Sequence, residues 1–201
     1  MPKFSTLIVL TLVCALLMVP FAISPLYLDA LRDRSYDLHQ FLRGEVYKQG
    51  TGFAALFLVV VEMFLTARKR SRSWPLKLTV PGSVLLWRSV HIFTGVSLLA
   101  VVLIHTVGAS GLNYNLIFLW SFFGVTISAL VGVVAETGVL ESSRKVFGFG
   151  KAQIVNGQAV GISKGQLIRG MRTVWLKAHI FLVSVFTLML FVHIFLVYYY
   201  R

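Results

Sequence analysis

Five apolar stretches, each long enough to cross a lipid bilayer, divide this chain of 201 residues. They run from about Phe4 to Ile23, Gly50 to Thr66, Leu85 to Val107, Tyr114 to Glu136 and Val174 to Tyr198. A helix rises about 1.5 Å per residue, so roughly 20 apolar residues span a hydrocarbon core of about 30 Å. Charged residues make up 13% of the chain, against about 25% in a soluble domain. Too little polar sequence remains for a separate soluble domain. The expected fold is an all-α membrane protein: one domain over residues 1–201, built as a bundle of about five transmembrane helices.

The segments between the blocks set the expected topology. Arg68, Lys69, Arg70, Arg72 and Lys77 follow the second block without an acid. The longest loop, expected over 137–173, carries Arg144, Lys145, Lys151, Lys164, Arg169 and Arg172 against Glu141. The positive-inside rule puts both segments in the cytoplasm. The N-terminus is then cytoplasmic and the C-terminus periplasmic, in a bacterial inner membrane, with Tyr198, Tyr199 and Tyr200 at the far interface. The net charge of +12 is explained by this topology and by anionic headgroups, so no nucleic acid is expected as a partner. Residues 24–49 are mixed in charge, with Leu28, Leu31, Leu38 and Leu42 at roughly helical intervals. They read as an amphipathic surface helix on the outer side. In the cytoplasmic loop, Asn156-Gly157 between short apolar-containing runs predicts a short β-hairpin. Met1-Pro2-Lys3 before an apolar run resembles a signal peptide, but Pro20 and Pro25 mark a helix exit rather than a cleavage site. A retained helix is expected. Cys14 lies inside that block as a small packing residue.

The histidines carry the functional information. His39 falls in the outer segment and pairs with nothing. His91 and His105 lie on the third block, His179 and His193 on the fifth, and each pair is fourteen residues apart. Fourteen residues come within roughly 40° of whole turns and rise roughly 21 Å, so both histidines face one side, one in each leaflet. The third and fifth helices run in the same direction. His91 is then level with His179, and His105 with His193. Such facing imidazoles suit bis-axial ligation of haem iron, giving two haem b groups, bound by His91/His179 and His105/His193. With no CxxCH, covalent c-type attachment is not expected.

The flanks repeat too. Trp87-Arg-Ser-Val-His91-Ile-Phe93 aligns with Trp175-Leu-Lys-Ala-His179-Ile-Phe181. Arg88 and Lys177 are placed to help hold haem propionates. Gly95, Ser97 and Ala100 offer room beside the ligands, although small residues also favour helix packing. Glu62 and Glu136 sit near the inner ends of their helices. Pairing with nearby Arg68 or Arg144 is expected of them rather than a proton relay for a quinone.

The four histidines and the helix order resemble the transmembrane domain of the ferric reductase and NADPH oxidase superfamily, over roughly residues 50 to 198. The resemblance implies that His91, His105, His179 and His193 ligate two b haems that pass electrons across the membrane. Two departures stand out. That family usually has six helices, and its reductases carry a cytoplasmic flavin and nicotinamide domain. Here five helices are expected, and no Gly-rich dinucleotide fingerprint follows a strand; Gly148-Phe-Gly150 is too short.

The expectation is a non-catalytic di-haem cytochrome b subunit of a larger membrane redox complex. Other subunits and a soluble electron donor or acceptor would be its partners. The alternatives are a quinone-linked oxidoreductase or metal reductase with its own substrate site, and a haem-free structural anchor.

Overall fold

The computed structural model describes residues 2–70, 82–109, 112–148, 154–155, 158–159 and 161–199. Seven helices are found among them: α1 (Phe4–Ala22), α2 (Pro25–Arg34), α3 (Tyr36–Arg43), α4 (Glu45–Arg70), α5 (Val84–Thr106), α6 (Tyr114–Glu141) and α7 (Lys164–Tyr199). Five of these, α1, α4, α5, α6 and α7, are long and apolar enough to cross a membrane. The protein is thus a multi-pass helical membrane protein.

Three boundaries differ from the sequence reading, each for a local reason. The segment over residues 24–49 is not one amphipathic helix. It breaks at Ser35 and Gly44 into α2, α3 and the first turns of α4. Pro25 opens α2, and Pro20 lies in the last turn of α1, consistent with the fixed φ of proline at helix entry. The fifth span begins ten residues before the apolar block, at Lys164, and α6 continues to Glu141. The long loop therefore shrinks to residues 142–163. Lysine, arginine and glutamine propagate a helix well, so the hydrogen-bond ladder outlasts the apolar pattern.

Side chains cap two of the spans. Ser83 Oγ accepts from Leu86 N at 3.1 Å at the start of α5, and Asn113 Oδ1 accepts from Leu116 N at 3.0 Å at the start of α6. Helix α5 ends at Val107, whose φ of +58° is unusual for a β-branched residue. Tyr27 holds it there by donating to the Val107 carbonyl at 2.6 Å. Next to it, Ser24 Oγ donates to the Ala109 carbonyl at 2.6 Å and accepts from its N–H at 3.0 Å. These bonds tie the start of the 24–49 segment to the α5–α6 turn.

The loop after α6 holds the expected hairpin. Strands β2 (Ile154–Val155) and β3 (Gln158–Ala159) pair antiparallel, Ile154 with Ala159 and Val155 with Gln158. The Asn156-Gly157 turn itself lies outside the described residues, as do Arg72, Lys77, Lys151 and Tyr200. A second ladder, β1 (Val146–Phe147) with β4 (Ile162–Ser163), closes the base of this loop.

Packing organises the spans into two pairs, α4 on α5 and α6 on α7, with α1 laid against α6 and touching α5. The core runs through the middle of the bundle. It comprises Cys14 and Met18 of α1, Val59 of α4, Leu98, Leu99 and Leu103 of α5, Leu119, Phe122, Phe123 and Leu130 of α6, and Phe186 of α7. Cys14 is a packing residue in it. Outward-facing apolar side chains such as Leu16, Phe57, Phe181 and Phe191 stay exposed, as lipid-facing positions do. Helices α5 and α7, which carry the histidine pairs, share no extended packed interface among the described residues.

Candidate functional site

Across the interval between α5 and α7, the four helical histidines come together as two pairs. The rings of His105 and His193 stand with centroids 6.4 Å apart and planes at 86°. His91 and His179 lie on the same two helices, toward the opposite end of the bundle. His39 is on α3, outside the two helices that carry the pairs.

Each ring is held from behind. Thr51 of α4 stands 2.9 Å from His105 Nδ1, and Ser128 of α6 stands 2.9 Å from His179 Nδ1. Each hydroxyl also donates its one hydrogen to its own helix, Thr51 to the Tyr47 carbonyl at 2.7 Å and Ser128 to the Val125 carbonyl at 2.8 Å. A hydroxyl that gives its hydrogen to its own helix can accept from an Nδ1–H. In that arrangement His105 and His179 carry the Nδ1–H tautomer, with no partner on either Nε2 among the described residues. His91 Nδ1 rests against Oε2 of Glu62 from α4. Neither that Nδ1 nor Oε1 of Glu62 makes a hydrogen bond of ordinary geometry among the described residues. His193 is held by ring contact, with Phe118 at 5.1 Å and 31°.

Two glycines allow these approaches. A Cβ on Gly52 would meet the His105 ring at 3.2 Å, so glycine lets α4 close on the imidazole. A Cβ on Gly132 would overlap the Trp175 indole. Trp175 fills that space, donates from Nε1 to the Ser128 carbonyl at 2.6 Å, and stacks on His179 at 6.2 Å and 28°. The tryptophan four residues before His179 thus positions both the histidine and its hydroxyl partner.

The spacing of His105 and His193 can be compared with that of two imidazoles on one metal ion. A metal–imidazole bond is about 2.0 Å long. Adding the distance from ring nitrogen to ring centre on both sides puts two axial imidazole centroids about 6.3 Å apart, close to the observed 6.4 Å. Ligating histidines characteristically donate their other N–H to a second group, as His105 and His179 do. No group of three or more His, Cys, Asp or Glu side chains gathers among the described residues. A histidine pair alone supplies two ligands, which suits iron whose remaining ligands come from a macrocycle.

No family model, curated protein or solved structure matches this chain.

The charged residues singled out from the sequence are placed as follows. Glu136, 4% exposed, does not pair with Arg144. Arg88 binds it at 2.7 Å, and Arg172 binds its other oxygen. Arg88 is therefore already engaged by a carboxylate. Lys177 is exposed and, two residues before His179, lies about 200° round the helix from it. Glu62 meets His91, and the side chain of Arg68 lies outside the described ones. Lys48, which the sequence reading left in the outer segment, donates to the His105 carbonyl and reaches the Thr106 carbonyl at 3.5 Å. Sequence reasoning missed Thr51 and Ser128; a hydroxyl inside an apolar block is the signal that could have found them, though not which histidine each one serves.

Proposed function

We propose that this protein is a di-haem b-type cytochrome, the membrane-embedded electron-transfer subunit of a larger redox complex. The observation that carries the reading is the paired histidine geometry: two rings 6.4 Å apart, with hydroxyls on Nδ1 of His105 and His179. His91 with His179 would hold one haem, and His105 with His193 the other. Haem b so bound takes up and gives up single electrons, and with both axial positions filled by protein it favours that over ligand chemistry. The chain's own part is to fix ligand spacing, to keep each Nε2 aprotic by bonding Nδ1, and to surround the rings with apolar side chains.

The topology belongs to the same reading. The C-terminal end of α4, the 142–163 loop with Arg144 and Lys145, and the start of α7 carry the basic residues, and by the positive-inside rule that end would face the cytoplasm of a bacterial inner membrane. The His91/His179 pair is then the inner one. Partner subunits or a soluble donor and acceptor would dock on the 142–163 loop and on α2–α3. Glu62 and Glu136, the groups a quinone or metal-reductase site would draw on, are both already engaged by His91, Arg88 and Arg172, which favours a conductor over an enzyme with its own substrate site.

The test is a pyridine haemochrome and a reduced-minus-oxidised spectrum of the purified chain. The expected result is two b haems per chain, with one lost in His91→Ala and one in His193→Ala. Protein folded in membranes with haem supplied, yet colourless, would overturn the reading.

A further inference from the structure

The two histidine pairs sit in opposite electrostatic settings. A carboxylate oxygen of Glu62 lies against Nδ1 of His91, and the Glu62 side chain is only 14% exposed. Among the described residues the other three helical histidines have no carboxylate against them: His105 and His179 meet hydroxyls, and His193 meets the Phe118 ring. At the far end an ammonium takes the carboxylate's place. Lys48 Nζ donates to the His105 carbonyl and reaches that of Thr106, and the His105 ring stands beside that of His193.

We propose that Glu62 and Lys48 are positioning residues that split the potentials of the two haems, lowering that of the His91/His179 site and raising that of the His105/His193 site. The proposal rests on the di-haem reading. Reducing ferric haem removes one unit of positive charge from the iron centre. A carboxylate against the ligand favours the oxidised, more positive state through its charge. An ammonium nearby favours the reduced state. Charge and burial are among the protein's levers on potential, and away from water they act more strongly than in it. The Arg88–Glu136–Arg172 cluster carries one net positive charge at the His91 end. It offsets part of the Glu62 charge, but Glu62 touches His91 itself.

The experiment is potentiometric titration of the α-band of the purified, haem-loaded full chain, after a haem count. Wild-type protein is expected to show two midpoints. The lower should be the one missing from His91→Ala, and the upper the one missing from His105→Ala. Glu62→Gln keeps the shape and removes the charge; it should raise the lower midpoint and leave the upper in place. Lys48→Met should lower the upper midpoint alone. If Glu62→Gln fails to retain its haem, the wild-type assignment and the Lys48→Met shift decide. Two haems per chain with the lower midpoint at the His105/His193 site, or with midpoints that Glu62→Gln and Lys48→Met leave unmoved, overturn the inference while the di-haem reading stands. A chain without haem overturns both.

Discussion

Replacing Gly132 by alanine tests how α6 and α7 hold His179. The added Cβ would overlap Nε1 and Cε2 of Trp175, so the indole must move. Overpacking a well-filled site costs about 1–3 kcal/mol. Displacing the indole also loses its 2.6 Å bond to the Ser128 carbonyl, worth about 0.5–1.5 kcal/mol. Alanine returns up to about 1 kcal/mol through helix propensity. The net expectation is destabilisation by about 0.5–4.5 kcal/mol. Thermal unfolding in detergent, followed by far-UV circular dichroism, reads the effect. A double-mutant cycle with Trp175→Ala isolates its cause. With the indole gone, Gly132→Ala should cost nothing, so the two substitutions should be strongly non-additive, as contacting residues are. A Gly132→Ala protein as stable as the parent, or additive costs in the cycle, would refute the close packing of Trp175 on α6.

Other outcomes follow from individual contacts. Thr51→Val should weaken haem retention only at the His105/His193 pair, and Ser128→Ala only at the His91/His179 pair. The expected loss is about 10–100-fold, as for other second-sphere partners, read by haem titration into the apo chain. Glu136→Ala should leave Arg88 and Arg172 repelling each other at the end of the bundle. Loss of a buried partner costs about 3–5 kcal/mol; here the cost should fall below that, because the Arg172 side chain is 54% exposed. Urea or thermal unfolding of Glu136→Ala beside Arg88→Ala and the double variant measures it. Tyr27, outside the spans, has its hydroxyl pushed above its ordinary value by burial. Its folded value is the higher one, so its contribution is complete below about pH 10 and is lost as pH rises beyond it. Tyr27→Phe should flatten the alkaline limb of a stability-versus-pH curve.

The spans and the histidine faces were legible because both depend on local rules. Bilayer thickness sets the length of an apolar run, and 3.6 residues per turn put His91 with His105 and His179 with His193 on one side of each helix. Alternation of the spans makes α5 and α7 parallel, so the level of each histidine followed as well. The Asn156-Gly157 signal marked the strands of the hairpin for the same local reason.

Helix ends were less legible. Apolar pattern reports the lipid boundary, and α7 continues ten residues past it because Lys164 to Arg172 sustain the helical hydrogen bonds. The breaks at Ser35 and Gly44 leave only a faint mark in a segment with leucines at helical spacing. The partners of the ligands could not be read at all. Thr51 reaches His105 across 54 positions, Ser128 reaches His179 across 51, and Arg172 reaches Glu136 across 36. Such contacts depend on which helix packs on which, and apolar blocks of similar length carry no code for that choice. Sequence by itself therefore determined a membrane bundle with four histidines in two levels. Tertiary packing decided which hydroxyl meets His105 and which meets His179, which carboxylate meets His91, and that Arg88 answers to Glu136, because these are properties of neighbouring surfaces and not of any one helix.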